Sequence, residues 1–307
     1  MKKPTVTKRS LLFLGAIFLC FAFLPSASFF ALPAVVAART EYSAGDFIEN
    51  SAKNSPTNSA VIPLENSRDN SRKNSFPIFE KISSFSTWYS QKDGGRCANI
   101  AIAAGRIDGV ILQPYGEFSF NQTVGKRARS AGFQQAKIIV NGEYVLGVGG
   151  GVCQVSTTLY NAALLAGLTV EEVHPHTLQV SYVPPSRDAM VSSESDLKLF
   201  NPYSFPVKFS LKAKDGTLTV SLFGELIKET YKIVSVEKGS LPPPPPVVVD
   251  VQSDIQERES KEGLISEAYL ERYQNGILIS RTRLRKDRYA PQPAIVKKIA
   301  DTTKKNR

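Results

Sequence analysis

Histidine and cysteine are both scarce in this chain: 307 residues contain only two His and three Cys. Cys20 lies in an apolar N-terminal run, so if that leader is removed the only possible disulfide joins Cys97 and Cys153. A metal site has few ligands to draw on. Cys153, His174 and His176 have no apparent fourth partner nearby in sequence, and three ligands suit only an open catalytic site. If it stays reduced, Cys153 is therefore a lone thiol followed closely by both histidines.

The most distinctive stretch places Cys153 between three glycines and the opening of a helix, since residues 149–160 read GGGVCQVSTTLY. Glycine allows positive φ and leaves backbone N–H groups uncovered by side chains. Residues 154–166 carry the apolar spacing of a buried helix face, and Gly167 is placed to end that helix. A cysteine in the first turn of a helix lies at the positive end of the helix dipole, which favours the thiolate over the thiol.

The histidines supply a partner for this thiol. A Cys and a His that folding brings together are the minimal pair for nucleophilic acyl transfer. Extended segments at 170–173 and 178–183 bracket His174-Pro175-His176, which predicts both imidazoles on one face. The structural alternative stays open, because a free Cys in a helix is usually a small buried hydrophobe and a His a satisfied polar residue. The three glycines favour the nucleophile, since a packed structural Cys needs no such run.

The N-terminal residues predict export. Basic residues precede an apolar run from Leu11 to Leu24, and a tract of small residues ends at Ala38. This pattern is typical of a secretory signal, or of a membrane anchor if it is not cleaved, over residues 1–38. Residues 39–84 are rich in Ser and Asn and predict a disordered tether. We therefore expect an extracytoplasmic protein that is membrane-anchored or associated with the cell wall.

The remaining chain predicts an α+β fold. Its core, at 85–225, should be antiparallel and rich in hairpins, with a strand-to-helix elbow that carries Cys153. The turn dipeptides Asn141-Gly142, Asp215-Gly216 and Asn275-Gly276, each flanked by apolar alternation, predict three hairpins. A linker at 226–246 contains five consecutive prolines, which predict a polyproline II spacer that holds the core apart from a small all-β module at 247–293.

The end of the chain is basic. Residues 281–307 hold ten Lys or Arg against two Asp, out of a net charge of +10 for the chain, and residues 294–307 form the predicted tail. Such a run is most often a solvated tail. For an exported chain, the functional alternative is attraction to anionic wall polymers or to a membrane surface, rather than to nucleic acid.

Several separate segments of the core resemble the VanW family of bacterial cell-envelope proteins. They are Asn99-Ile100 with its alanine-rich helix, Gly116 to Asn121, Gly149 to Asn161, His174-Pro175-His176, Tyr182-Val183-Pro184 and Arg187-Asp188-Ala189. Ser186 stands where the family pattern has glycine. The C-terminal module, with residues 272–276 and 289–293, resembles a G5 domain, a wall-associated accessory module.

The family resemblance implies a function in peptidoglycan biology and glycopeptide resistance, such as that against vancomycin. Some proteins with this domain are L,D-transpeptidases, which crosslink peptide stems. On this basis Cys153 would attack the carbonyl of the third stem residue, with His176 as general base and His174 as its support or substitute. The implied oxyanion donors are the backbone N–H groups of Gly150, Gly151 and Gln154. The resemblance implies no cofactor or metal.

The resemblance also implies substrate contacts. Arg187 is the candidate for a stem carboxylate, which a guanidinium can bind in bidentate fashion. Asp188, Glu117 and Asn121 are further candidates, although Asp188 could instead orient a histidine, or form a structural ion pair with Arg187. The competing class of function is a non-catalytic peptidoglycan-binding or glycopeptide-resistance accessory protein, in which Cys153 serves only as packing.

Overall fold

The computed structural model describes residues 79–298. The predicted leader, most of the predicted tether and the last nine residues of the predicted basic tail lie outside this range. In chain order the elements are β1 (Glu80–Trp88), α1 (Gly94–Ile107), β2 (Ile111–Leu112), β3 (Glu117–Ser119), α2 (Phe120–Val124), a 3-10 turn (Arg129–Ala131), β4 (Gln135–Val140), β5 (Glu143–Val148), α3 (Val152–Leu165), β6 (Thr169–Glu172), β7 (Lys198–Phe200), β8 (Val207–Lys214), β9 (Thr217–Gly224), β10 (Glu229–Leu241), β11 (Val247–Asp250), β12 (Gly263–Gln274), β13 (Ile277–Tyr289) and β14 (Ile295–Lys298).

The described chain is mostly strand with few helices, arranged in several small sheets, which confirms the coarser part of the predicted fold class. The largest sheet has the order β1-β9-β8-β2, and two three-stranded sheets have the orders β3-β7-β6 and β10-β12-β13. The hairpin β4-β5 stands as a sheet of its own. These pairings are antiparallel, whereas β11 and β14 pair in parallel. Within residues 79–298 no helix is long and apolar enough to cross a membrane.

The three predicted hairpins are confirmed at their turns. Asn141 and Gly142 have φ values of 50° and 77°, and the Asp215-Gly216 and Asn275-Gly276 turns are alike. Positive φ at both central residues is what a type I′ turn requires, and it matches the right-handed twist of the flanking strands. The turns therefore fix the register of β4 with β5, of β8 with β9 and of β12 with β13.

Helix α3 lies at the centre of the fold and packs against β1, β9, α1, β6 and β10. Most of its residues are buried, including polar ones that must find partners inside the protein. Ser156 Oγ donates to the carbonyl oxygen of Ala189 at 2.6 Å, and Asn161 Nδ2 donates to that of Arg187 at 2.8 Å. The polar side of α3 thereby fixes the segment from Arg187 to Val191 against the helix.

Two predicted domain boundaries are wrong. β1 begins at Glu80 and pairs with β9 along its whole length, so the core starts before residue 85. The segment assigned to a linker at 226–246 contains β10, which pairs with β12 from Glu229 to Leu241. Sheet pairing satisfies the backbone groups that a solvated linker would give to water. We therefore define the C-terminal module as residues 229–298.

The predicted spacer does not hold two modules apart. The five prolines connect β10 to β11, after the chain has already entered the module. Ile233 of β10 is buried in the same apolar cluster as α3, and Leu270 and Leu284 of the module pack against that cluster. Residues 79–298 accordingly belong to one compact unit.

Candidate functional site

The chain turns from β5 into α3 through Gly149, Gly150 and Gly151, and Cys153 is the second residue of α3. Gly149 and Gly151 have φ values of 92° and 107°, which side chains disfavour. Gly150 has an ordinary φ but no room, because a Cβ there would lie 2.5 Å from the carbonyl oxygen of Lys137. Three glycines thus allow the chain to pass close beneath β4 and to present Cys153 at the start of the helix.

Asn99 of α1 is hydrogen-bonded to the glycine turn and to the residue before β4. Its Nδ2 donates to the carbonyl oxygens of Gly150 and Gln134, both at 2.9 Å, while its Oδ1 accepts from the N–H of Gln134 at 2.7 Å. Asn99 is fully buried, so breaking these bonds would leave polar groups without water. Asn99 therefore stabilises the conformation of the glycine turn that precedes Cys153.

Cys153 opens onto a cavity of about 1030 Å³. One wall is the β4-β5 hairpin, another is the first turn of α1, and the rim includes Trp88 at the end of β1. Cys153 is half-buried and His176 is buried, and both line the cavity. The thiol is held by the backbone of Val191, whose N–H lies 3.5 Å and whose carbonyl oxygen lies 3.4 Å from Sγ.

His176 connects Cys153 to Asp188. The imidazole Nδ1 lies 2.7 Å from Asp188 Oδ2, and the backbone N–H of His176 donates to the same oxygen at 2.7 Å. The carboxylate thus places the proton on Nδ1 and leaves Nε2 as the other polar atom of the ring, while Cys153 lies close enough to raise the pKa of the ring. A hydrogen-bonded imidazole and carboxylate therefore lie beside the thiol.

The electrostatics favour a charged pair. Burial alone raises the pKa of the Cys153 thiol, but the hydrogen bond and charge of His176, with the Val191 backbone and Arg127, outweigh it and lower that pKa. Burial likewise lowers the pKa of His176, yet Asp188 and Cys153 together raise it to about 9. The pKa of Asp188 falls to about 2 despite burial, because His176, Arg285 and Tyr289 stabilise the carboxylate. These interactions shift the balance from a neutral thiol and imidazole toward a thiolate beside an imidazolium.

Residues 95–223 match the family model described as VanW like protein. These residues form a VanW-family domain. The resemblance stated from the sequence is thereby confirmed for the core.

Two curated proteins are similar to part of this chain. Over 145 residues the chain is 41% identical to Uncharacterized protein YoaR of Bacillus subtilis, which covers 47% of this chain and 48% of that protein. It is 22% identical over 150 residues to the Vancomycin B-type resistance protein VanW of Enterococcus faecalis, which covers 47% of this chain and 54% of that protein. The chain thus spans about half the length of the curated relatives it matches.

A solved structure, Crystal structure of HP0197-G5, aligns with 24% of this chain and 100% of that chain at 21% identity and a TM-score of 0.14. A likeness this slight says nothing about the C-terminal module. Its assignment as a G5 domain stays a prediction.

The VanW domain separates the two histidines instead of placing them on one face. Residues 178–183 form bends and not the expected strand, and His174 makes a β-bridge to Met190. His174 Nε2 lies 3.0 Å from Glu172 Oε1, and Lys198 contacts the other oxygen of that carboxylate at 2.7 Å. The expected role of His174 as support for His176 has no geometric basis, because its ring is engaged with Glu172.

Arg187 also differs from its predicted role as a ligand of a stem carboxylate. Its Nε donates to Asn161 Oδ1 at 2.8 Å, and its guanidinium lies 5.1 Å from the centre of the Phe85 ring. It is outside the cavity lining of the described structure. Asp188 instead fulfils the alternative role of orienting a histidine, and its cationic partner is Arg285, at 2.7 Å, not Arg187.

Of the other two predicted substrate contacts, only Asn121 lines the cavity. Glu117 is exposed on β3, outside the cavity lining of the described structure. Asn121 does line the cavity, but its Nδ2 donates to the carbonyl oxygens of Ser192 and Ser195, both at 3.0 Å, and its Oδ1 accepts from Arg127. Asn121 is thus used to shape the wall.

Of the three predicted oxyanion donors, Gln154 is excluded by its bonds. Its N–H donates to the carbonyl oxygen of Gly151 at 3.0 Å, and its side chain bridges Arg96, Thr87 and Trp88. Gly150 and Gly151 line the cavity beside Cys153 and remain the candidates.

Sequence reasoning missed Arg127, Arg285 and Tyr289. Arg127 lies in the cavity wall, and its charge helps to lower the pKa of Cys153, but nothing in the run Lys126-Arg127-Ala128 signals this. Tyr289 stands in a segment that the sequence assigns only to the module. Both Arg285 and Tyr289 come about a hundred residues after Asp188, so no local pattern could connect them.

Two alternatives from the sequence involve the same side chains, namely a Cys97–Cys153 disulfide and a metal site. Cys97 and Cys153 are both free thiols, and Cys97 Sγ lies 3.5 Å from the carbonyl oxygen of Ser90. Within residues 79–298, no group of three or more His, Cys, Asp or Glu side chains is arranged to hold a metal ion.

Proposed function

We propose that the VanW domain is a cysteine acyltransferase of the L,D-transpeptidase type that acts on the peptide stems of peptidoglycan. The observation that carries this proposal is the hydrogen-bonded pair of His176 and Asp188 beside Cys153 at the wall of an open cavity. A thiol, a base and a carboxylate that orients the base are the groups that thiol acyl transfer requires. The strand-to-helix elbow adds the positive end of α3 beside the thiolate.

In the first step, the Cys153 thiolate attacks the carbonyl carbon of the third stem residue and a C–S bond forms. The C–N bond to the terminal D-amino acid breaks. The imidazolium of His176 gives its Nε2 proton to the departing amine, so the free D-amino acid leaves and a thioester remains. The raised pKa of His176, about 9, ensures that this proton is present at neutral pH.

In the second step, the amine of a neighbouring stem attacks the thioester. Neutral His176 accepts the amine's proton on Nε2 as the new C–N bond forms and the C–S bond breaks. Cys153 leaves as a thiolate beside an imidazolium, which restores the starting state. Gly150 and Gly151 are the proposed donors to the oxyanion in both steps.

The charge of the cavity suits a substrate that ends in a carboxylate. Its wall carries four basic side chains and one acidic one. They are Arg96, Lys126, Arg127 and Lys137 against Asp93. The terminal D-amino acid of a peptide stem presents such a carboxylate. We therefore assign its recognition to this basic wall, in place of Arg187.

The setting that we propose is the cell envelope. One relative of the VanW domain is named a vancomycin B-type resistance protein, and the predicted leader would deliver this chain outside the cytoplasm. Anionic wall polymers or the membrane surface would be attracted mainly by basic residues other than Arg281, Arg283 and Arg285. Those three already pair with acidic side chains.

The test is product analysis with the purified full chain and muropeptides that carry tetrapeptide stems. We expect release of the terminal D-amino acid and formation of dimers joined through third residues. Cys153→Ser should abolish nearly all product, because a hydroxyl lacks the depressed pKa of this thiol. Cys97→Ser is the matched control and should retain activity.

Thermal unfolding must show that Cys153→Ser remains folded. Unchanged product in a folded Cys153→Ser protein would contradict the proposal. Binding of muropeptides without product by the wild-type chain would instead support the non-catalytic binding protein.

A further inference from the structure

Asp188 is held from outside the VanW domain, by strand β13 of the C-terminal module. Arg285 Nη2 donates to Asp188 Oδ1 at 2.7 Å, and the Tyr289 hydroxyl donates to the same oxygen at 2.6 Å. Arg285 Nη1 also donates to the backbone carbonyl oxygen of Asp188 at 2.6 Å. One carboxylate oxygen therefore faces His176 and the other faces the module.

Further hydrogen bonds hold the side chains of Arg285 and Tyr289 in place beside Asp188. Asp287 Oδ2 accepts from Arg285 Nε at 2.6 Å and so aims the guanidinium. The Tyr289 hydroxyl accepts from the N–H of Ser186 at 2.7 Å, and Ser186 Oγ lies 2.6 Å from Ser266 Oγ. Ser186 has a φ of 60°, a conformation that side chains rarely adopt and that these bonds stabilise.

The module also contacts the wall of the Cys153 cavity. Gln292 Nε2 donates to the carbonyl oxygen of Gly142 at 3.0 Å, and Arg258 Nη2 donates to Glu143 Oε1 at 2.8 Å. Gly142 and Glu143 are at the tip of the β4-β5 hairpin, which forms one side of the cavity. The module thus reaches both the carboxylate behind His176 and the wall in front of Cys153.

We propose that Arg285 and Tyr289 are positioning residues of the Cys153 site, so that the C-terminal module is a working part of the site and not a separate appendage. This inference rests on the proposed function. Two donors on Oδ1 share the negative charge of Asp188, so the carboxylate stabilises the imidazolium of His176 less strongly than an unshared carboxylate would. His176 must lose its proton to serve as base for the incoming amine, and Arg285 and Tyr289 keep it able to do so.

The groups that act on His176 come from several elements. The titratable and charged groups around the pair are Cys153 and Tyr160 of α3, Tyr182 and Asp188 of the following loops, Arg127 in the cavity wall, and Arg285, Asp287 and Tyr289 of β13. Among them, Arg285 and Tyr289 act on His176 through Asp188. Their removal should therefore change the titration of His176 and not only the stability of the protein.

The test is an NMR titration of the full chain with labelled histidine rings, since His174 and His176 are the only two signals. In Arg285→Gln the His176 midpoint should rise by about one pH unit, because a buried cation beside Asp188 is lost. In Tyr289→Phe it should rise by about half as much, because Asp188 loses one hydrogen bond and no charge is removed. Arg285→Lys keeps the positive charge, so the His176 midpoint in this variant should lie close to that of the wild-type chain.

Matched controls lie on the same sheet. Arg283→Gln and Tyr269→Phe remove the same groups where they contact Glu267 instead of Asp188, and should leave the His176 midpoint unchanged. The His174 signal is an internal reference, since its partner is Glu172.

Each outcome decides a different claim. If His176 of the wild-type chain titrates near the ordinary value of about 6.5, or if Cys153→Ser leaves its midpoint unchanged, the proposed function loses its charged pair. If the wild-type midpoint is high but Arg285→Gln and Tyr289→Phe match their controls, only the inference about the module is overturned. If Arg285→Gln does not fold, Tyr289→Phe provides the same measurement. Loss of folding in both would count against the inference, because it would show a purely structural role.

Discussion

His174 and His176 are two positions apart, yet the structure gives them unrelated environments. His176 is buried between Cys153 and Asp188, whereas His174 is half-buried and contacts Glu172. The β-bridge from His174 to Met190 ends the extended segment at that point, and the chain then bends toward the cavity. Of the two imidazoles, only that of His176 lines the cavity of Cys153 in the described residues.

We predict a large difference between the alanine variants of these two residues. His176→Ala should lower acyl transfer by a factor of about 10²–10⁴, the usual contribution of a general acid–base group. His174→Ala should change the rate little, because its ring is paired with Glu172 and is not among the described residues that line the Cys153 cavity. Steady-state rates of D-amino acid release measure both. Comparable losses in two folded variants would contradict the assignment of roles.

The glycine turn between β5 and α3 predicts that a side chain at Gly150 would destabilise the protein. Gly150→Ala would place a Cβ 2.5 Å from the carbonyl oxygen of Lys137 and 2.8 Å from Ala136. Backbone atoms cannot yield as a flexible side chain can, so we expect a loss of about 1–3 kcal/mol in the free energy of unfolding. Chemical denaturation of wild type and variant measures this loss.

Gly105→Ala is the matched control. Gly105 lies within α1, and among residues 79–298 a Cβ added there would meet no atom within 4 Å. Alanine has the higher helix propensity, so this variant should be neutral or more stable by about 0.5–1 kcal/mol. Equal effects of the two substitutions would show that close packing at Gly150 is not what the turn requires.

Elements whose signals are local could be predicted from the sequence. Asn141-Gly142 fixes a hairpin by itself, and Gly167, with a φ of 71°, ends α3 as expected. Cys153 and His176 were expected together because the chain has only two histidines. Both Cys153 and His176 line one cavity, while their chemical pairing stays a prediction. Arg285 and Tyr289 could not be found, since they lie 97 and 101 residues from Asp188 and only the packing of β13 brings them there.

At the scale of the whole molecule, the predicted separation of core and module failed for a physical reason. Five prolines do favour an extended spacer, but the strand before them already pairs with β12 and buries Ile233 against α3. Apolar contact on both sides of the proline run makes it an internal connection. Sequence composition alone does not show on which side of a linker the next domain begins.

We therefore predict that residues 79–298 unfold as one cooperative unit. Trp88, the only tryptophan, reports on β1 of the core, whereas far-UV circular dichroism reports on all strands. The two thermal transitions should coincide, as they do for a single domain. An early transition in circular dichroism that leaves Trp88 fluorescence unchanged would show an independent module.

Transfer of a peptide acyl group onto Cys153 Sγ can be detected by intact-mass analysis after incubation with tetrapeptide stems. We expect an adduct equal to the stem without its terminal D-amino acid, located on Cys153 by peptide mapping and absent from Cys153→Ser. Rapid acid quenching should preserve it, because a thioester is stable at low pH on that timescale. A folded wild-type chain that releases the D-amino acid without any adduct on Cys153, or that carries the adduct elsewhere, would show that Cys153 is not the nucleophile.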